Sequence, residues 1–194
     1  MFAQENIIEK LKMDVTDGVL YLSLEHGNYF NYELTVNLTM PAVESVVLSG
    51  SGDIVIGTFV GLGDLHVEID GSGDIETDGV LEITGKTDIE LDGSGDINLK
   101  IKATDVVAEL DGSGDINLSG KATWLKARLG GSGDIKSYKL EALNCDALLE
   151  GSGDIKVYAS KNLEATLEGS GNIKYRGEPS VEAKIDGSGS IEAD

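Results

Sequence analysis

The pentapeptide GSGDI begins at Gly50, Gly71, Gly93, Gly112, Gly131 and Gly151, and near-copies follow as GSGNI at Gly169 and GSGSI at Gly187. Successive copies are 21, 22, 19, 19, 20, 18 and 18 residues apart. A period near 20 that drifts by a few residues describes a solenoid with one repeat per coil. The flanks say which kind. Leu125-x-Ala127-x-Leu129 and Leu163-x-Ala165-x-Leu167 precede corners, and Ile97-x-Leu99 and Ile155-x-Val157 follow them. Apolar residues at every second position make strands, not helices.

Each coil is therefore a strand, a glycine corner, a second strand and a return of variable length. Parallel stacking of coils places Ile54, Ile75, Ile97, Ile116, Ile135, Ile155, Ile173 and Ile191 in one internal ladder. Two glycines in each of eight copies account for 16 of the 26 in the chain, so glycine is positional here rather than the mark of a flexible linker. The expected reason is a positive φ at the corner, which glycine alone adopts freely. The insertions SGKAT before Trp124, YASKN before Leu163 and YRGEPS before Val181 fall in the returns. Parallel crossovers are overwhelmingly right-handed. The fold class is thus all-β, a right-handed single-stranded parallel β-helix of about 20 residues per coil.

The chain reads as one β-helix domain over residues 1–194, with residues 1–49 as N-terminal strands that begin the helix and cover its first coil, and 50–194 as the serial coils. MDVTDGVLYLSL predicts a hairpin around Asp17-Gly18. The alternation of Leu34, Val36, Leu38 and Met40 with polar residues predicts a further strand.

The formal net charge of −20 makes nucleic acid and anionic lipid poor partners. Cys145 is the single cysteine, so no intrachain disulfide forms, and strand alternation places it inward as a small apolar residue. No apolar run is long enough to span a membrane. The opening MFAQENIIEK contains acids and no apolar h-region, unlike a signal peptide.

LKMDVTDGVLYLSL, then LTVNLTMPAVESVVLSGSGDI, then serial GSGDI corners, together resemble the bacterial auto-transporter adhesin family with the head GIN domain. The resemblance spans essentially the whole chain. It implies a β-helix of the cell envelope, extracytoplasmic in location (periplasm, outer-membrane surface or secreted) and adhesin-like in role. It supplies no catalytic residues.

The corner aspartates form the row Asp53, Asp74, Asp96, Asp115, Asp134 and Asp154, continued by Asn172 and Ser190. The following isoleucine points in, so each of these points out. Asp70, Asp92, Asp111, Glu150, Glu168 and Asp186 make a second acidic row before the corner. Carboxylates stacked at strand spacing repel by roughly 1 kcal/mol in water, so something must offset this. Asp, Asn and Ser share the ability to accept from turn N–H groups, which favours a structural role. Calcium is the sharper alternative, since stacked carboxylates and turn carbonyls are hard ligands. The glycine and aspartate offsets differ from those of the nine-residue calcium β-roll, so the expectation is no cofactor and no metal. Paired carboxylates also do acid–base work on polysaccharides. An active site is a local exception, however, whereas this aspartate is the rule in every coil.

The exceptions to the repeat point elsewhere. Lys136, Lys156 and Lys174 follow the ladder isoleucine in three successive coils, and Tyr138, Tyr158 and Arg176 stand two places further on. These six are expected to share one outward face, a candidate site for an acidic sugar: cations meet the acid and tyrosine offers a flat surface. The bland alternative is a solvated strand face whose cations balance neighbouring acids. Asn98 and Asn117 predict a short amide ladder. Trp124, the only tryptophan, is expected to be buried under a return segment. The resulting expectation is a non-catalytic cell-envelope adhesin-like or scaffold β-helix, with a cell-surface or extracellular polysaccharide as partner. A polysaccharide lyase or glycoside hydrolase of the pectin-degrading β-helix type is the alternative.

Overall fold

A computed structural model describes residues 2–3 and 5–194. The chain forms two compact units, Met1–Pro41 and Ala42–Asp194.

In the first unit, strands Leu11–Thr16 and Val19–Leu24 pair antiparallel with Thr16 opposite Val19. Only Asp17 and Gly18 lie between them, at φ 52° and 83°. Two successive positive φ values make the type I′ turn that matches strand twist, and Asp-Gly is its preferred sequence. A short helix, Glu5–Ile8, precedes the hairpin. Strand Phe2–Ala3 pairs antiparallel with Leu34–Thr35. The strand expected through Met40 stops at Thr35. Alternation alone does not make a strand, and no neighbouring backbone pairs with residues 36–40 among the described residues.

The second unit is the solenoid, and its parallel stacking starts at Ser45. Before the corners, Ser45–Leu48, Leu65–Ile69, Lys86–Leu91 and Asp105–Leu110 stack in turn. The later halves of Ile116–Leu129, Ile135–Leu149 and Ile155–Leu167, then Ser180–Ile185, continue the stack. After the corners, Ile54, Ile75, Ile97, Ile116, Ile135, Ile155, Ile173 and Ile191 pair in register across eight coils. The six from Ile75 to Ile173 are fully buried, while the two end members are partly covered. Burying one such side chain stabilises the fold by roughly 1.5–3 kcal/mol, so the repeat adds core with every coil. All the register shifts lie between Glu82/Ile83, Asn117/Ser119, Ser137/Glu141 and Ala142/Asn144, on the return side where the insertions fall.

The corner glycines have a different reason from the one the sequence suggested. None has a positive φ; the glycines that do are Gly18, Gly61, Gly120 and Gly177. Their role is close approach. A Cβ on Gly133 would stand 1.7 Å from the carbonyl oxygen of Gly114, and one on Gly131 would stand 2.0 Å from that of Gly112. The same clash recurs at every corner from Gly71 to Gly189. Successive corners lie directly on one another, and any side chain there would enter the backbone of the coil before.

Candidate functional site

The corner explains its own aspartate. In each coil the serine N–H donates back to the first glycine carbonyl of the preceding coil, as Ser132 does to Gly112 at 3.0 Å. The isoleucine N–H donates forward, as Ile116 does to the Asp134 carbonyl at 3.0 Å. The aspartate N–H faces backward and is met by a side chain. Asp74, Asp96, Asp115, Asp134 and Asp154 each donate to Oδ1 of the preceding corner aspartate, at 2.8–3.2 Å. Asn172 N–H then donates to Asp154 Oδ1 at 2.9 Å, and Ser190 N–H to Asn172 Oδ1 at 3.1 Å. Neutral asparagine thus accepts in the same place as the carboxylate. The second acidic row, from Asp70 to Asp186, is solvent-exposed throughout.

The second carboxylate oxygen meets the lysine column. Lys136, Lys156 and Lys174 stack in register. Lys136 Nζ lies 2.5 Å from Asp115 Oδ2 and 3.4 Å from Asp134 Oδ2, and Lys156 Nζ lies 3.7 Å from Oδ2 of both Asp134 and Asp154. Cations therefore sit among Asp115, Asp134 and Asp154, which offsets the repulsion expected between these three carboxylates. Desolvation opposes ionisation of Asp134, but the Asp154 N–H and the Lys156 and Lys136 ammoniums outweigh it and hold its carboxyl below the usual range. Its hydrogen bond to Asp115 raises Lys136 above the usual lysine range. Asp53, Asp74 and Asp96 have no such lysine, because Val55, Glu76 and Asn98 occupy its position.

Of the six residues expected on one face, five follow the ladder. Lys174 pairs with Glu192 at 3.5 Å, and Arg176 with Asp194 at 2.5 Å. Tyr158 stands in register with Arg176. Tyr138 does not align with Tyr158, whose partner is Glu141, because a register shift follows Ser137. Its ring still joins the group: the Arg176 guanidinium lies 4.1 Å from its centroid, a cation–π contact. Its hydroxyl is buried with no partner, and desolvation raises its pKa.

Three other expectations are settled. Asn98 and Asn117 stack in register, but the amide–amide hydrogen bond forms elsewhere, from Asn162 Nδ2 to Asn144 Oδ1 at 2.7 Å. Cys145 is buried, and desolvation pushes its thiol pKa far up. Trp124 is not buried under a return: 51% of it is exposed. Leu125, Ala127 and Leu129 fill the interior, and the alternation that sends them in sends Trp124, Lys126 and Arg128 out.

Among the described residues no group of three or more His, Cys, Asp or Glu is arranged to hold a metal ion. No helix of the described residues is long and apolar enough to cross a membrane.

The chain matches the model of the family described as "putative auto-transporter adhesin, head GIN domain" over residues 2–84 and 65–179. A crystal structure of a "putative lipid binding protein" from Parabacteroides distasonis is similar, with 27% identity and a TM-score of 0.86 over 99% of this chain and 82% of that one. A "putative adhesin" from Bacteroides fragilis shares 25% identity at a TM-score of 0.74, over 98% of this chain and 79% of that one. At 22% identity and a TM-score of 0.83, a "putative adhesin" from Parabacteroides merdae shares the fold, over 99% of this chain and 81% of that one. No curated protein matches the sequence.

Proposed function

We propose that this chain, which belongs to the putative auto-transporter adhesin, head GIN domain family, acts as a non-catalytic, adhesin-like scaffold at the cell surface. The observation that carries this reading is the use made of the corner carboxylates. Stacked coils bring them to about 4.8 Å, close to the carboxyl separation of a retaining glycosidase. In this chain every corner carboxylate from Asp53 to Asp154 has one oxygen committed to a backbone N–H of the next coil. Oδ2 of Asp115, Asp134 and Asp154 is paired with lysine as well, and because the coils from Asp53 to Asp154 all use the aspartate alike, no pair is set apart as the acid and nucleophile that glycoside hydrolysis needs. The lipid-binding description of the Parabacteroides distasonis relative finds little support inside the solenoid. Isoleucine, leucine and alanine ladders fill that interior at near-zero exposure. Incubation with pectin, alginate and neutral polysaccharides tests the reading. Retention on a polysaccharide in affinity electrophoresis, without release of reducing ends or unsaturated uronates, is the expected result. Sustained release of either product overturns it.

A second, finer reading is an acidic glycan on Lys136, Tyr138, Lys156, Tyr158, Lys174 and Arg176. Its support is the in-register lysine column and the Arg176–Tyr138 stack. Each cation already has a carboxylate partner, so an acidic sugar must displace one, which makes binding weak and salt-sensitive. Calorimetry compares the parent with the Lys136→Ala/Lys156→Ala/Tyr158→Ala variant. Oligogalacturonate binding that is lost in the variant supports the site; equal binding removes it.

A further inference from the structure

We propose that the groove around Trp124 is a binding subsite for a neutral sugar unit, which stacks its ring on the indole. Trp124 stands in the pre-corner half of the strand Ile116–Leu129, in register with Asp105 of the coil before and Asn144 of the coil after. It lines a surface groove with Asp105, Val107, Lys126, Asp146 and Glu164. A half-exposed tryptophan on a strand face keeps a flat apolar surface in water, and covering that surface is favourable.

The polar rim gives the class of ligand. Lys126 and Asp146 are neighbours in register, and Glu164 is next in the same row. None of Asp105, Lys126, Asp146 and Glu164 has an ion pair or a side-chain hydrogen bond within the described residues, although ion pairs occupy many exposed charges elsewhere on the solenoid. The adjacent amide row differs: Asn162 donates to Asn144, and Asn144 donates to the Thr123 carbonyl at 3.4 Å. The rim thus offers three carboxylates able to accept from hydroxyls and one ammonium able to donate, arranged around an aromatic plate. A pyranose has an apolar ring face and a belt of hydroxyls, which matches this arrangement. Three acids against one lysine repel a uronate or sulfated sugar, so the neutral unit is selected. This subsite is separate from the lysine column, whose ligand would be acidic. It rests on the adhesin-like reading only for the choice of sugars as the ligand class.

Trp124 is the only tryptophan, so its emission reports on this groove alone. The full chain is titrated with maltotetraose, cellotetraose and mannotetraose, with trigalacturonate as the acidic counter-probe. The expected result is a saturable blue shift with at least one neutral tetrasaccharide and a Kd of about 0.1–10 mM. Raising NaCl from about 50 to 500 mM leaves that Kd within roughly twofold, because no net charge is exchanged. By calorimetry, Trp124→Ala and Asp146→Asn each weaken binding of the same sugar about tenfold or more, while their circular dichroism matches the parent. The proposal is overturned if no neutral tetrasaccharide shifts the emission, or if Trp124→Ala binds it as well as the parent does. Binding of trigalacturonate alone, lost in the lysine-column variant, also overturns it and leaves the adhesin-like reading standing.

Discussion

Adding one methyl group at a corner separates close approach from backbone conformation as the reason for glycine. In Gly133→Ala the new Cβ is placed 1.7 Å from the Gly114 oxygen. A carbon and an oxygen settle no closer than about 3.2 Å, so the two corners must part by roughly 1.5 Å. That movement breaks or stretches two bonds on either side, Ser132 N–H to Gly112 and Asp134 N–H to Asp115 Oδ1. At about 0.5–1.5 kcal/mol each, with lost packing of the neighbouring ladder, the cost is about 2–4 kcal/mol. Gly52→Ala is the control, because a Cβ there meets no atom within 4 Å. Its cost stays within about 1 kcal/mol, since reduced freedom in the unfolded chain offsets any strain. Urea denaturation followed by circular dichroism measures both. Equal midpoints for the two variants would refute the close-approach argument.

The acid limb of stability responds to Asp134. Its folded pKa is lowered, so its contribution is present above the unfolded value of about 3.9 and lost as pH falls through the lower folded value. Urea midpoints of Asp134→Asn should therefore fall less than those of the parent between about pH 5 and 2. Cys145, buried with its thiol pKa pushed far up, should react with a thiol reagent at pH 8 only as fast as the solenoid opens; a fast rate that is the same at zero and at sub-denaturing urea contradicts this. Millimolar Ca²⁺ and Mg²⁺ should raise the melting temperature equally, by screening the net charge of −20; a clearly larger shift with Ca²⁺ marks a specific site.

The solenoid was legible because one period carries three independent signals: corner spacing, strand alternation on both flanks, and an invariant ladder residue. Ile54 to Ile191 could be placed in register without coordinates. The reason for the glycines was not legible, because positive φ and close approach both demand glycine, and only stacked backbones distinguish them. Residues 36–40 show the limit of alternation, which records which way side chains point and not whether a neighbouring strand exists. Tyr138 lies beside Arg176 but on a different rung from the one its spacing implies, because the register shifts after Ser137. Trp124 shows the reverse error. Its outward register was visible in the sequence, and the assumption that a large apolar residue must be covered displaced it.

From Asp53 to Asp154 the repeated aspartate serves as an acceptor for the next coil's N–H. Asp96 tests it cleanly, because its Oδ1 accepts from Asp115 N–H at 2.8 Å and no lysine pairs with it. The measurement is the unfolding free energy of Asp96→Asn and Asp96→Ala, with amide exchange read at Asp115. Asn should stay within about 0.5 kcal/mol of the parent, because Asn172 accepts through Oδ1 at the same place in its own coil, while Ala should lose about 1–3 kcal/mol and speed exchange at Asp115. Equal loss in both variants would make the charge the essential property and contradict the account, as would no loss in either.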